Sequence, residues 1–124
     1  GSPAPLQRAG VSAVNMAQTY YDELAREYAH RREVMLATLD LVGIEYFKPQ
    51  GAYYAFCDIS KYGHKSDLAF TKHLVKDIGV AVVPGGSFFG AENPLKYNYV
   101  RFCFSRKDET LLAAREKLKE LKPV

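Results

Sequence analysis

Apolar positions along the chain follow two periods, and the change from one to the other marks the elements. From Thr19 to about Leu41, Tyr20, Leu24, Tyr28, Met35 and Leu39 recur at helical spacing. Asp22, Glu23, Arg26, Glu27, Arg31 and Arg32 fill the remaining faces, which predicts a long amphipathic helix. Thr19 with Asp22 three residues on is a loose capping-box match. A shorter helix is predicted over Leu6 to Met16, behind an extended Pro3–Pro5 lead-in. Gly43 should stop the long helix. The period then shortens, and Ile44–Phe47, Ala52–Asp58, Val80–Val83 and Tyr99–Phe104 read as strands. Lys48-Pro49-Gln50-Gly51 is a turn, and Pro84, which cannot donate to a ladder, should end the third strand.

Two further helices complete the pattern. Ser66 or Asp67 caps one that runs to Ile78, with Leu68, Thr71, Leu74, Val75 and Ile78 inward and Gly79 as its stop. The last starts near Asp108, where Ser105 with Asp108 fits a cap, and ends near Lys122 before Pro123. Its apolar spacing runs through Leu111, Leu112, Ala114, Leu118 and Leu121. Strands alternating with helices predict an α/β (α+β) fold, a two-layer sandwich. The expected sheet is small and mixed or mostly antiparallel, with helices on one face and the long helix leading in. At 124 residues, 1–124 should form a single domain.

Composition changes this picture little. The chain is 48% hydrophobic and 25% charged with a net charge of +3, too mild a balance to imply nucleic acid or an anionic membrane as partner. No apolar run approaches a membrane span and no signal-peptide pattern opens the sequence. Cys57 and Cys103 both fall in predicted strands and match no metal spacing. Buried free thiols in a reducing compartment are expected, hence a cytoplasmic location, with a disulfide only if the two strands bring them together. His30, His64 and His73 are scattered and read as surface residues. The lysines of the last helix read as a solvated face.

Candidate chemistry concentrates in Gly79–Ser105. Gly85 and Gly86 follow the Val80–Val83 run and permit unusual backbone angles and close approach of a ligand. In the last strand Val100, Phe102 and Phe104 point to one face, and Tyr99, Arg101 and Cys103 to the other. A guanidinium between Val100 and Phe102 in a central-looking strand is costly without an anion. That anion is either a structural carboxylate of the same chain or a carboxylate ligand.

Three segments, GAYYAFCD at 51–58, GVAVVPGGSF at 79–88 and VRFCF at 100–104, in this order and with these gaps, resemble the C-terminal part of the class I/II aminotransferases. These are pyridoxal-phosphate enzymes of fold type I. The resemblance extends from PAPLQRAG at 3–10 to the final helix, and its wording is closest to the branch with kynurenine, methionine and aspartate aminotransferases. It implies that the chain is the small, C-terminal domain of a larger enzyme that acts on amino-acid and 2-oxo-acid substrates as a homodimer, with pyridoxal 5'-phosphate as cofactor. It implies that Arg101 grips the substrate α-carboxylate and that Tyr53, Tyr54 and Phe88 are substrate-binding, although alternation sends Tyr53 and Tyr54 to opposite faces. The long helix would join the two domains, its aromatic stripe serving as core or interface.

Transamination also needs a lysine that forms a Schiff base with the cofactor and a cradle for its phosphate. Lys61, in SKYGHKS, and Lys48, in FKPQG, lack the family's spacing around that lysine. The expectation is therefore a fragment with no catalytic residue of its own, no bound cofactor and no metal, inactive alone. The alternative is a stand-alone carboxylate-binding or regulatory α/β module. A nucleic-acid-binding sheet is disfavoured, because YVRFCF lacks the glycine pattern of an RNA-recognition motif.

Overall fold

The computed structural model describes residues 1–123. Helix α1 covers Ala4–Val14 and α2 covers Gln18–Val42. Strands β1 (Glu45–Phe47) and β2 (Tyr54–Asp58) follow, then α3 (Asp67–His73), extended by a π-turn over Leu74–Ile78. Strands β3 (Val83–Pro84) and β4 (Tyr99–Cys103) precede the last helix, α4 (Asp108–Leu118). The sheet has the order β1-β2-β4-β3 with every pairing antiparallel. Met35, Leu36 and Leu39 of α2, Phe70 and Leu74 of the α3 segment, and Leu111 and Leu118 of α4 bury against Ala55, Cys57, Val100, Phe102 and Phe104. The helices thus cover one face, as the pattern predicts.

The helix stops follow the glycines. Gly43 and Gly79 have φ of 73° and 79°, the left-handed region that a side chain resists. Past them, Ile44 N–H reaches the Leu39 carbonyl at 2.9 Å and Val80 N–H the Leu74 carbonyl at 3.0 Å. Ser66 caps α3 by accepting the Ala69 N–H at 3.1 Å. The other two proposed caps do not form: α2 opens at Ala17 and α4 at Lys107, neither with a side-chain cap bond. The acidic first turn of α4, Asp108 and Glu109, faces the positive end of the helix dipole instead.

Four further expectations are corrected. Strand β3 is shorter than Val80–Val83 and includes Pro84, which the sheet tolerates because β3 is an edge strand and the proline nitrogen needs no ladder partner. Strand β2 starts at Tyr54, not Ala52, because Ala52 sits at φ 60°, outside the extended region. On α3, Phe70 and Leu74 turn inward with Asp67, whereas Leu68 and Val75 are exposed. Residues 67, 70 and 74 keep ordinary helical spacing, so the inward face is the neighbouring one, which Phe70 fills, and the π-turn begins only at Leu74. The last helix also ends at Leu118, although Leu121 beyond it is buried.

Helix α2 is longer than the layer it covers. Its 25 residues span about 37 Å, against about 19 Å for four strands side by side. Its first half therefore overhangs. Tyr20 and Leu24 are exposed, and α1 buries no residue at all. Only from Tyr28 onward does the aromatic and apolar stripe reach the core.

The two thiols are free and cannot bridge, since Cys57 faces the buried layer with Ala55 while Cys103 shares the opposite face with Arg101. Burial pushes the Cys57 thiol up to about 12, only slightly offset by its hydrogen bond with the Phe102 backbone. A neutral thiol reagent should accordingly modify Cys103 alone in the native chain and both thiols in urea. Fast labelling of Cys57 in a native Cys103→Ser variant would contradict the packing. The raised thiol also favours the folded state only while it stays protonated. Stability should fall as pH rises from the unfolded thiol's value, near 8.5, toward about 12, and Cys57→Ala should remove that part of the slope in urea titrations. At Ala52 the strain is local, and Ala52→Gly should raise unfolding stability by about 0.5–1 kcal/mol.

Candidate functional site

The uncovered face of the sheet carries the site. Alternation along β4 drives Val100 and Phe102 into the core and leaves Tyr99, Arg101 and Cys103 half-buried on the other side. Arg101 is opposite Phe56 on β2 and Val83 on β3, so its backbone is held from both flanks. Its guanidinium carbon lies 4.6 Å from the Tyr54 ring centre and 5.3 Å from that of Phe88. Its Nε is buried without a hydrogen-bond partner. None of the ion pairs among the described residues involves it.

Tyr54, Phe56, Phe88 and Arg101 together line a concavity of about 200 Å³. Aromatic rings floor and flank it: Tyr99 stacks on Phe56 at 5.2 Å and on Phe89 at 5.6 Å, and Phe88 meets Phe56 edge-on at 6.2 Å. The structure brings Arg101, Tyr54 and Phe88 together. Tyr53, 48% exposed, touches Tyr54 edge-on but lines no part of the concavity. Such a pocket, one half-buried cation walled by rings with no ion-pair partner among the described residues, suits a carboxylate carrying an apolar group.

The glycine turn that delivers Phe88 is built differently from the expectation. Neither Gly85 nor Gly86 has positive φ. Gly85 is needed for close approach of the chain to itself: a Cβ there would stand 2.4 Å from the Tyr99 carbonyl oxygen, to which the Gly85 N–H donates at 2.9 Å. Gly86 donates its N–H to the Asp67 carboxylate at 2.7 Å, and Asp67 is only 4% exposed. Sequence reading considered Asp67 only as a helix cap and passed over Phe56 and Tyr99 as site residues. The available signals were an acid beside a turn with free N–H groups and the shared face of residues 54, 56, 99 and 101.

The histidines lie apart from this site. His30 bonds Asp108 at 2.8 Å, linking α2 to α4, and His73 bonds Asp77 at 2.7 Å. His64, 5.0 Å from the His73 ring, is held below the usual histidine range by desolvation and then by His73. Lys61 pairs with Glu45 at 3.3 Å, away from Arg101. Among the described residues no cluster of three potential metal ligands occurs, and no helix is long and apolar enough to cross a membrane.

Comparison with known proteins places this geometry in a family. The family model for aminotransferase class I and II matches residues 1–118. Methionine aminotransferase of Escherichia coli K12 is 29% identical over 117 residues, covering 94% of this chain and 30% of that protein. Kynurenine–oxoglutarate transaminase 3 of Bos taurus is 30% identical over 113 residues, covering 82% of this chain and 25% of the relative. N-succinyldiaminopimelate aminotransferase from Mycobacterium tuberculosis superposes with a TM-score of 0.85 at 26% identity, over 98% of this chain and 31% of that one. For the aromatic aminotransferase of Pyrococcus horikoshii OT3 the TM-score is 0.78 at 29% identity, over 92% and 30%. The chain spans less than a third of the length of these curated relatives. With residues 1–118 of its 124 matched, the chain belongs to the class I and II aminotransferase family.

Proposed function

We propose that this chain is the substrate-carboxylate-binding part of a pyridoxal-phosphate-dependent aminotransferase that moves an amino group between an amino acid and a 2-oxo acid. One observation carries the reading: Arg101, fixed in a central strand and wedged between Tyr54 and Phe88, has no carboxylate among the described residues to neutralise it. Its fork can take both oxygens of an α-carboxylate, and the two rings restrict where that carboxylate can lie. Family membership supplies the reaction class.

Pyridoxal phosphate, when bound, supplies the electron sink for chemistry at the substrate α-carbon. The residues around Arg101 do not fit that group. No lysine lines the concavity, and its walls are aromatic rings with one guanidinium rather than a cradle of N–H donors. In this reading the cofactor's lysine and phosphate site belong to the two-thirds of the relatives' length outside this chain. The exposed apolar residues Leu6, Val11, Val14, Met16, Tyr20 and Leu24 fit a surface that the remainder of a larger, homodimeric, cytoplasmic enzyme covers.

In the intact protein, Arg101→Ala should lower kcat/KM for amino acids by the 2–5 kcal/mol typical of losing one member of a charge pair, roughly 30- to 4000-fold, with the cofactor absorbance unchanged. Arg101→Lys should recover only part of it. In the 124-residue chain alone the same alanine change should leave stability nearly intact, since no internal carboxylate is stranded. Normal transaminase activity in the intact Arg101→Ala protein would end this reading. For the covered surface, sedimentation of the chain should show concentration-dependent association that Val14→Glu with Leu24→Glu abolishes. A strict monomer at every concentration would count against it.

A further inference from the structure

We infer that Asp67 is a positioning residue for the Arg101 carboxylate site, acting through the Gly85–Gly86 turn; this rests on the reading of Arg101 given above. Asp67 is the first residue of α3 and is 4% exposed, the only carboxylate among the buried described residues. Its Oδ2 accepts the Gly86 N–H at 2.7 Å, across 19 residues of sequence. The fit is close on the turn's side as well. A Cβ on Gly86 would stand 2.9 Å from the same Oδ2 and 3.3 Å from the Lys96 carbonyl oxygen.

The neighbouring N–H groups of the turn are tied elsewhere. Gly85 donates to the Tyr99 carbonyl at 2.9 Å, and Phe88 donates back to the Gly85 carbonyl at 2.9 Å. The short 3-10 turn Gly86–Phe88 therefore has two anchors outside itself, Tyr99 of β4 and Asp67 of α3. Phe88, at the end of that turn, sets one wall of the Arg101 site, 5.3 Å from the guanidinium carbon. Phe88 is itself 55% exposed, so packing alone does not hold it. Its placement depends on the turn, and the turn depends on the Asp67 carboxylate. A hydrogen bond to a carboxylate is about twice as strong as one to a neutral acceptor, so the Asp67 bond is the stronger of the two anchors.

Asp67 is distinguished from an ordinary helix-start residue by its neighbour. Ser66 performs the capping of α3 through Ala69 N–H, a bond separate from the one Asp67 makes to the glycine turn. Ser66→Ala and Asp67→Ala should thus both destabilise the start of α3, while only the second should release Phe88. This separation makes the positioning role testable against a merely structural one.

The test uses the 124-residue chain with 3-phenylpropionate as probe and 3-phenylpropanol as uncharged control, with binding read in every variant from the probe's own NMR signals and, where the arginine is kept, the site read at the Arg101 Nε–H. That signal senses the ring currents of Tyr54 and Phe88. Wild type should bind the acid and not the alcohol, and Arg101→Ala should abolish binding. Asp67→Ala should shift the free Nε–H resonance and weaken the acid about tenfold. Asp67→Asn, whose amide oxygen can still accept from Gly86, should recover most of the affinity. Ser66→Ala should lose stability with neither change. If Asp67→Ala does not fold, Gly86→Ala, which forces the same contact apart, should give the same resonance shift and weakening. Equal effects of Ser66→Ala and Asp67→Ala on affinity, or an unchanged resonance and affinity in Asp67→Ala or its Gly86→Ala substitute, would overturn the positioning role while leaving Arg101 in place. Undiminished binding to Arg101→Ala would overturn the Arg101 reading, and the role of Asp67 with it.

Discussion

Strand β4 has to satisfy two opposite environments at once, and the rest of the molecule is arranged around how it does so. Its even-numbered residues, Val100 and Phe102, are buried under the helices, and Phe104 just beyond the strand is equally buried. A slip of one residue would drive a guanidinium into that core and expose two aromatic rings, so the register is fixed by several kcal/mol of burial and desolvation on the order expected for such groups. The direction of Arg101 is therefore set by what its neighbours bury rather than by any bond that it makes. Pairing with β2 on one side and β3 on the other removes the remaining backbone freedom.

This logic also explains which parts of the molecule could be read in the sequence. The two faces of β4, the glycine stops at Gly43 and Gly79, the Ser66 cap and the one-sided helical layer all follow from local rules acting on a few adjacent residues. The failures came where a local rule was overruled at a distance. Pro84 entered a strand because β3 lies at an edge, a fact of sheet order. Gly85 serves the approach of the Tyr99 carbonyl rather than an unusual torsion, and only the folded pairing brings the two together. In the α3 segment two neighbouring faces both carry apolar residues at helical spacing, and packing of Phe70 into the core selects between them. Of the residues that line the concavity, alternation and resemblance had singled out Arg101, Tyr54 and Phe88. Asp67 was not singled out, because its partner is an N–H group 19 residues away.

The overhang of α2 belongs to the same account. A helix that exceeds its sheet by nearly half its length cannot bury its whole stripe, and Tyr20 and Leu24 remain in solvent with α1. The aromatic side of the sheet is likewise uncovered, with Phe47 63% and Phe88 55% exposed. A sandwich that closes one face and leaves the other lined by stacked rings has its polar anchor and its apolar surface side by side. That adjacency is what suits the open face to the carboxylate proposed for it.

Why rings rather than an acid should surround Arg101 follows from the magnitudes. An aspartate placed beside it would neutralise the guanidinium, and a ligand carboxylate would then have to displace an equally good partner. Tyr54 and Phe88 instead contribute about 0.5–1 kcal/mol each at a partly exposed site, enough to fix the plane of the guanidinium and too little to quench its charge. On the proposed reading a carboxylate in the concavity would gain the larger interaction of a charge pair, up to about 2–5 kcal/mol by the cost of removing one partner. The bare Nε is the cost of this arrangement, which on the proposed reading an anion would offset. An arginine held by aromatic faces is thus aimed without being satisfied, which is the condition that a carboxylate-binding residue must meet and a structural one must avoid.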